Sequence, residues 1–186
     1  MNAQKFTQKS LEAIQEAQNI AIENNNMQIE QEHLAAALLA QDNGLIPQLL
    51  KKMGTDSAAL QAEIRRKIDA IPAVTGPGRE AGKIYVSSDV DAALTEAENE
   101  AQRMKDEYVS VEHIFLALLS KPGKEMRSLF SAFHIDKNAF LAALSSVRGN
   151  TRVTSDNPEE TYDAVSYTHL DVYKRQVLPC GNWKKS

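Results

Sequence analysis

The sequence predicts an all-α fold: two pseudo-twofold related four-helix repeats forming one globular eight-helix domain. Two observations predict it. The chain matches itself without a gap after a shift of eighty positions, 6–67 against 86–147. Within each copy, apolar residues recur at helical spacing and not at the alternation of strands. A gap-free match this long means one folded unit duplicated.

The matches fall throughout the unit. Ala13, Glu16, Ala17, Asn19 and Ala21 meet Ala93, Glu96, Ala97, Asn99 and Ala101, and Glu32-His33 meets Glu112-His113. In the first helix, Ile14, Ala17 and Ala21 form one face; Val90, Leu94, Ala97, Ala101 and Met104 do so in the second copy. Thr7 and Ser88 are the expected N-caps, because a hydroxyl there accepts from the free backbone N–H groups of the first turn. Asn24-Asn25-Asn26 and Lys105-Asp106-Glu107 mark the exits.

The second helix, about 30–40 and 110–120, is the most apolar element, so it is expected at the centre of each unit. A short third helix follows at 45–52 and 124–133, announced by Gly44 and by Pro122-Gly123. Leu45, Ile46, Leu49, Leu50 and Met53 on it read as core, or as part of a groove for extended peptide. Asp56 and Asp136 cap the fourth helix, which runs to about 70 and 148; Leu60 and Ile64 match Phe140 and Leu144 on its buried side.

Between the copies, 71–85 contains Pro72, Gly76-Pro77-Gly78 and Gly82, a linker composition. The double-repeat domain is expected over 1–150. One four-helix unit of such short helices has a thin core, so the two units are expected to pack on each other. Polar 151–164, with Pro158, reads as a flexible exit toward an absent ATPase domain.

The stretch 165–186 reads as foreign. Val165 to Gln176 can be back-translated into DNA that, after the last two bases of an Ala164 codon, equals its own reverse complement. It resembles two sequencing-adapter ends joined head to head. Such a segment is set aside from fold reasoning, and Cys180, His169 and Trp183 go with it.

Composition narrows the function classes. Of 186 residues, 42% are hydrophobic and 25% charged, as in a globular protein. No stretch reaches the roughly 18 apolar residues of a membrane span, and no signal pattern opens the chain, so no membrane partner is expected. One cysteine allows no internal disulfide and suits a reducing, cytoplasmic setting. The net charge is −4; 165–186 carries +3, which leaves −7 for 1–164. So acidic a region is a poor partner for nucleic acid.

No catalytic constellation stands out. Gly76-Pro77-Gly78 lacks the strand, helix and lysine of a phosphate loop. His33 and His113 belong to separate units and His134 stands alone, so no metal is expected. The protein is read as a binding module and not an enzyme. The repeated Glu-His pair is the sharpest local signal. Glu32 and Glu112 lie in the first turn of the central helices, where acids favour the positive end of the helix dipole. The alternative is that these acids, exposed at twin sites, receive cationic or amide groups from a partner.

The doubled unit, the openings Phe6-Thr-Gln-Lys-Ser10 and Val86-Ser-Ser-Asp-Val90, and the blocks Glu32-His33-Leu34 and Glu112-His113-Ile114 resemble the Clp N-terminal (Clp repeat) domain family. Arg152-Val-Thr-Ser155 and Glu159-Glu-Thr-Tyr162 look like the segment leading to the first ATPase ring in the disaggregase branch. The resemblance implies a mobile recruiting module on a hexameric AAA+ chaperone machine of the stress response. Its partners would be unfolded or aggregated proteins or an adaptor; the isolated domain would be monomeric. No cofactor is implied here, because ATP and magnesium belong to the missing domains. Thr7, Glu32, Asp106 and Glu112 match positions that handle substrate or adaptor in relatives. In the peptidase-linked branch the acids matching Glu32 and Glu112 accept phosphorylated arginine; that ligand is not carried over. The alternatives are an adaptor-binding domain of a peptidase-linked unfoldase and a free-standing adaptor.

Overall fold

The computed structural model describes residues 1–77 and 83–158. The foreign-tail reading of 165–186 and the middle of the linker lie outside the described residues.

Among the described residues eight α-helices form in two sets of four, after a short 3-10 helix at Ala3–Lys5. They are α1 (Gln8–Glu23), α2 (Gln31–Ala40), α3 (Leu45–Lys52), α4 (Ser57–Asp69), α5 (Ser88–Arg103), α6 (Val111–Ser120), α7 (Lys124–Ala132) and α8 (Lys137–Arg148). Thr7 Oγ accepts the Ser10 N–H at 3.2 Å, and Asp56 and Asp136 accept the N–H three residues on. The α5 cap is Ser87, not Ser88: Ser87 Oγ accepts the Val90 N–H at 3.2 Å. The physical reason is backbone shape. A cap sits in extended conformation just before the first helical residue, as Ser87 does, whereas Ser88 is already helical. After α1 and α5 the chain reverses through Asn25 and Lys105 with φ of 57° and 58°.

Two short strands tie the copies together. Strands β1 (Gln28–Ile29) and β2 (Tyr85–Val86) pair in parallel, with Ile29 opposite Val86. Phe6 and Val109 form the matching bridge. The bonds repeat as well: Ser87 N–H donates to Ile29 O at 3.1 Å, and Thr7 N–H donates to Val109 O at 3.0 Å. Every one of these residues lies eighty positions from its counterpart. Each copy therefore offers its opening strand to the other copy's first connection, which is the pseudo-twofold made in backbone.

One apolar core runs through both copies. Helices α2 and α6 lie at its centre, as their composition predicts; Leu38, Ile114, Leu116 and Leu118 are fully buried. Phe115 packs on Phe140 and edge-on against Phe130. Helix α3 packs on α6 and α8, and α7 on α2 and α4, so each third helix crosses to the other unit. That crossing buries Leu45, Ile46, Leu49 and Leu50, and closes the groove reading of α3.

Gln31 stitches the crossing. Its amide nitrogen donates to Asp89 O at 3.0 Å and Lys121 O at 2.9 Å, and its oxygen accepts the Gly123 N–H at 2.8 Å.

The segment expected to be a flexible exit is docked over its first part. Val153 is fully buried; its N–H reaches Asp106 Oδ1 and its C=O accepts the Glu107 N–H, both at 2.9 Å. The reason lies in the repeat. Eighty positions earlier, 71–74 runs across the end of α1: the Asn26 amide reaches Ile71 O and Pro72 O, and Val74 N–H donates to Asn25 O. The duplicated unit thus includes the chain leaving its fourth helix, which the polar sequence of 151–154 hides.

Candidate binding site

The equivalent histidines are internal struts. A backbone N–H can only donate, so His33 Nδ1, 2.8 Å from the Glu30 nitrogen, is an acceptor. The ring proton is then on Nε2, which donates to Asn26 Oδ1 at 2.9 Å. His113 repeats this arrangement, accepting from Ser110 N–H at 2.9 Å and reaching Asp106 Oδ2 at 2.7 Å. Both rings are fully buried, and burial lowers the His33 pKa to about 4. Each histidine joins the end of its unit's first helix to the start of its second.

Around that shared frame the copies diverge. In the second, Asp106 sits among His113, the Val153 N–H and the Arg148 guanidinium. Burial alone pushes its carboxyl up, but those hydrogen bonds and the Arg148 charge outweigh it and hold the pKa below the ordinary value. Arg148 Nη1 also lies 3.6 Å from Glu112 Oε1. Glu112 is fully buried, and neither of its oxygens has a hydrogen-bond partner. Arg148 therefore stands between two acids as their shared countercharge.

In the first copy the counterparts are Asn26, Glu32 and Ile68. The position equivalent to Arg148 on α4 is the apolar Ile68, and Glu32 instead lines a pocket of about 240 Å³ with Glu30, Ile71, Asp89, Gly123 and Lys124. Its carboxyl is pushed above the ordinary value, first by burial and then by the Glu30 and Glu125 charges; its own backbone N–H and Lys67 oppose the shift. The pocket lies at the junction of the two units, where α7 meets the start of α2.

Against the sequence reading, the four candidates divide. The structure gathers Thr7, Asp106 and Glu112 around the α5–α6 connection and buries the side chains of all three. Thr7 caps α1, its hydroxyl bonding Ser10, whose own hydroxyl donates to Val109 O. Glu32, the fourth, alone opens on a pocket. The picture of two exposed, equivalent acids is therefore corrected: Glu112 is closed from inside by Arg148, and Glu32 is 8% exposed. Arg148 was missed, although the repeat alignment sets it opposite Ile68, a charge at a core position.

A second feature was also missed. Met27 is 44% exposed, Tyr85 62% and Val86 50%, while Ile22 and Val74 are exposed nearby. They adjoin through backbone: Tyr85 N–H donates to Met27 O at 3.3 Å, and Val74 and Ile22 each bond Asn25. These exposed apolar residues flank the β1–β2 ribbon, with Tyr85 and Val86, as consecutive strand residues, on opposite faces of it. Ile71 of the Glu32 pocket lies three residues before Val74. Among the described residues no cluster of His, Cys, Asp and Glu could hold a metal ion, and no helix is long and apolar enough to cross a membrane.

Residues 5–133 match the family model of the Clp repeat (R) N-terminal domain. Chaperone protein ClpB of Nitratidesulfovibrio vulgaris is 45% identical over 166 residues, which is 89% of this chain and 19% of that protein. ClpB of Bacillus anthracis is 40% identical over 178 residues, 96% of this chain and 20% of that protein. At that coverage the alignment enters the stretch after Ala164. The chain spans about one fifth of the length of these relatives. In structure it is similar to the Hsp104 N-terminal domain of Candida albicans, with a TM-score of 0.72 at 24% identity, covering 82% of this chain and 97% of that one. It is also similar to a ClpV N-domain in complex with a VipB peptide, with a TM-score of 0.56 at 21% identity, covering 76% and 88%.

Proposed function

Because the chain belongs to the Clp repeat (R) N-terminal domain family, we propose that it recruits unfolded or aggregated polypeptide, directly or through an adaptor, for a ClpB-like disaggregase. The observation that carries this reading is the set of exposed apolar side chains Met27, Tyr85 and Val86 at the β1–β2 ribbon, together with the Glu32 pocket at the start of α2. Clustered exposed apolar side chains mark interaction surfaces. These side chains would meet apolar side chains of an extended segment, and the Glu32 pocket would take a cationic or amide group. Thr7, Asp106 and Glu112 fix the helix starts and connections around the counterpart Phe6–Val109 bridge.

The domain binds and does not catalyse. ATP and magnesium serve the ATPase domains of the parent machine, in the cytoplasm. Several copies on one hexameric ring would raise the effective concentration, so weak binding by each suffices. The test is fluorescence anisotropy of a labelled, permanently unfolded model protein titrated with the domain. Weak saturable binding, reduced by Tyr85→Ser and Met27→Ser together, is expected. No binding at high domain concentration, with helicity confirmed by circular dichroism, overturns the reading.

A further inference from the structure

We infer that residues 150–157 form a detachable strap, caught on Asp106, that sets the tether length between this domain and any chain that follows. The strap leaves α8 through Gly149, whose φ of 56° is a turn that side chains resist. It then crosses three elements. Arg148 Nε donates to Thr151 O at 2.7 Å at the end of α8. Val153 docks on Asp106 and Glu107 in the α5–α6 connection. Gln8 N–H, one of the free donors at the start of α1, reaches Asp156 O at 2.8 Å.

Release is built into this arrangement. Along the segment Val153 and, just past its far end, Pro158 are buried; Thr151, Arg152, Thr154, Ser155 and Asp156 are exposed. Two small apolar anchors and a few backbone bonds work against the conformational entropy of the whole segment. Two opposing contributions of similar size leave docked and released forms close in free energy. The counterpart 71–74 differs in one respect. Its chain continues into β2, which is paired with β1, so the domain holds it at both ends. Among the described residues no helix or strand follows the strap.

The catch is polar and shared. Asp106 Oδ1 takes both the Val153 N–H and the Arg148 guanidinium, so the carboxylate that anchors the strap also anchors the end of α8. Docked, the chain departs beside the start of α1. Released, it departs from the end of α8, and eight freed residues extend the tether by up to about 27 Å. Strap release thus changes reach without changing the binding surface, and it does not depend on what that surface binds.

The test compares the full chain with its Val153→Ser and Asp106→Asn variants. Tryptic cleavage after Arg152 is followed together with amide exchange in α6 and far-UV circular dichroism. Val153→Ser is expected to speed cleavage about tenfold, from loss of its buried side chain, with α6 exchange and helicity unchanged. Asp106→Asn keeps an acceptor for the Val153 N–H but loses the charge on Arg148, and is expected to give a smaller increase. Unchanged cleavage in Val153→Ser overturns the proposal. So does cleavage that rises only together with loss of α6 protection, since the segment would then be inseparable from the fold. If Asp106→Asn unfolds the domain, Val153→Ser decides alone.

Discussion

Arg148 brings its guanidinium to 3.6 Å from the Glu112 carboxylate, at the position where the first copy carries Ile68 on the same helix face. One substitution between duplicated units therefore separates a closed acid from one that faces a pocket.

Removing that countercharge leaves Asp106 and Glu112 buried and uncompensated. Arg148→Met is expected to destabilise the domain by about 3–5 kcal/mol in urea denaturation. Adding Glu112→Gln should recover part of the loss, because the orphaned charge is then gone. A double variant no more stable than Arg148→Met would mean that Glu112 is not coupled to Arg148.

The His33 ring predicts acid sensitivity. Its folded pKa of about 4 lies below the unfolded value of about 6.5. The unfolded state therefore gains a proton first as pH falls. Stability from this group is lost between those two values, by about 3 kcal/mol in all, and the loss levels off below pH 4. Glu32 works in the opposite direction, since its raised pKa makes the folded state take up a proton earlier. Asp106, with a lowered pKa, adds a loss that begins only below its unfolded value near 3.8. Denaturation midpoints of wild type and His33→Gln between pH 7 and pH 4 check the dominant slope. The variant's curve should be flatter.

Gln31 satisfies three backbone groups of the opposite unit with one side chain. Gln31→Met keeps the bulk and leaves Asp89 O, Lys121 O and the Gly123 N–H without it. A loss of about 1–3 kcal/mol is expected. Faster amide exchange at Gly123 is the local signature, and an unchanged Gly123 rate would contradict the stitching role.

Glu32 should trade stability against binding. Glu32→Gln removes a charge that burial disfavours, so at pH 7 the domain should be slightly more stable, by up to about 1 kcal/mol. The same change should weaken binding of unfolded segments rich in Lys and Arg more than that of neutral ones. Equal affinity for both classes before and after substitution would remove Glu32 from the proposed contact.

The repeat made much of this legible. Periodicity located all eight helices, and Thr7, Asp56 and Asp136 announced their caps, because helix starts are local chemistry carried by single side chains. The expectation of Ser88 as the α5 cap was correctable in sequence, since Thr7 plus eighty is Ser87. The exposure of Glu32 and Glu112 was not legible. A first-turn acid looks the same whether it faces solvent, a pocket or an arginine 36 positions further along the chain.

The sequence by itself determined the duplication, the helical class and the absence of a recognisable catalytic motif, because these rest on spacing and residue type. Only the tertiary structure decided that the third helices cross between units, that Val153 docks on Asp106, and that Arg148 closes one acid while its twin opens on a pocket. Those outcomes depend on which side chains meet across long sequence separations. Pairing of Arg148 with Glu112 and of Gln31 with Gly123 is set by how two units pack, and local pattern carries no record of that packing.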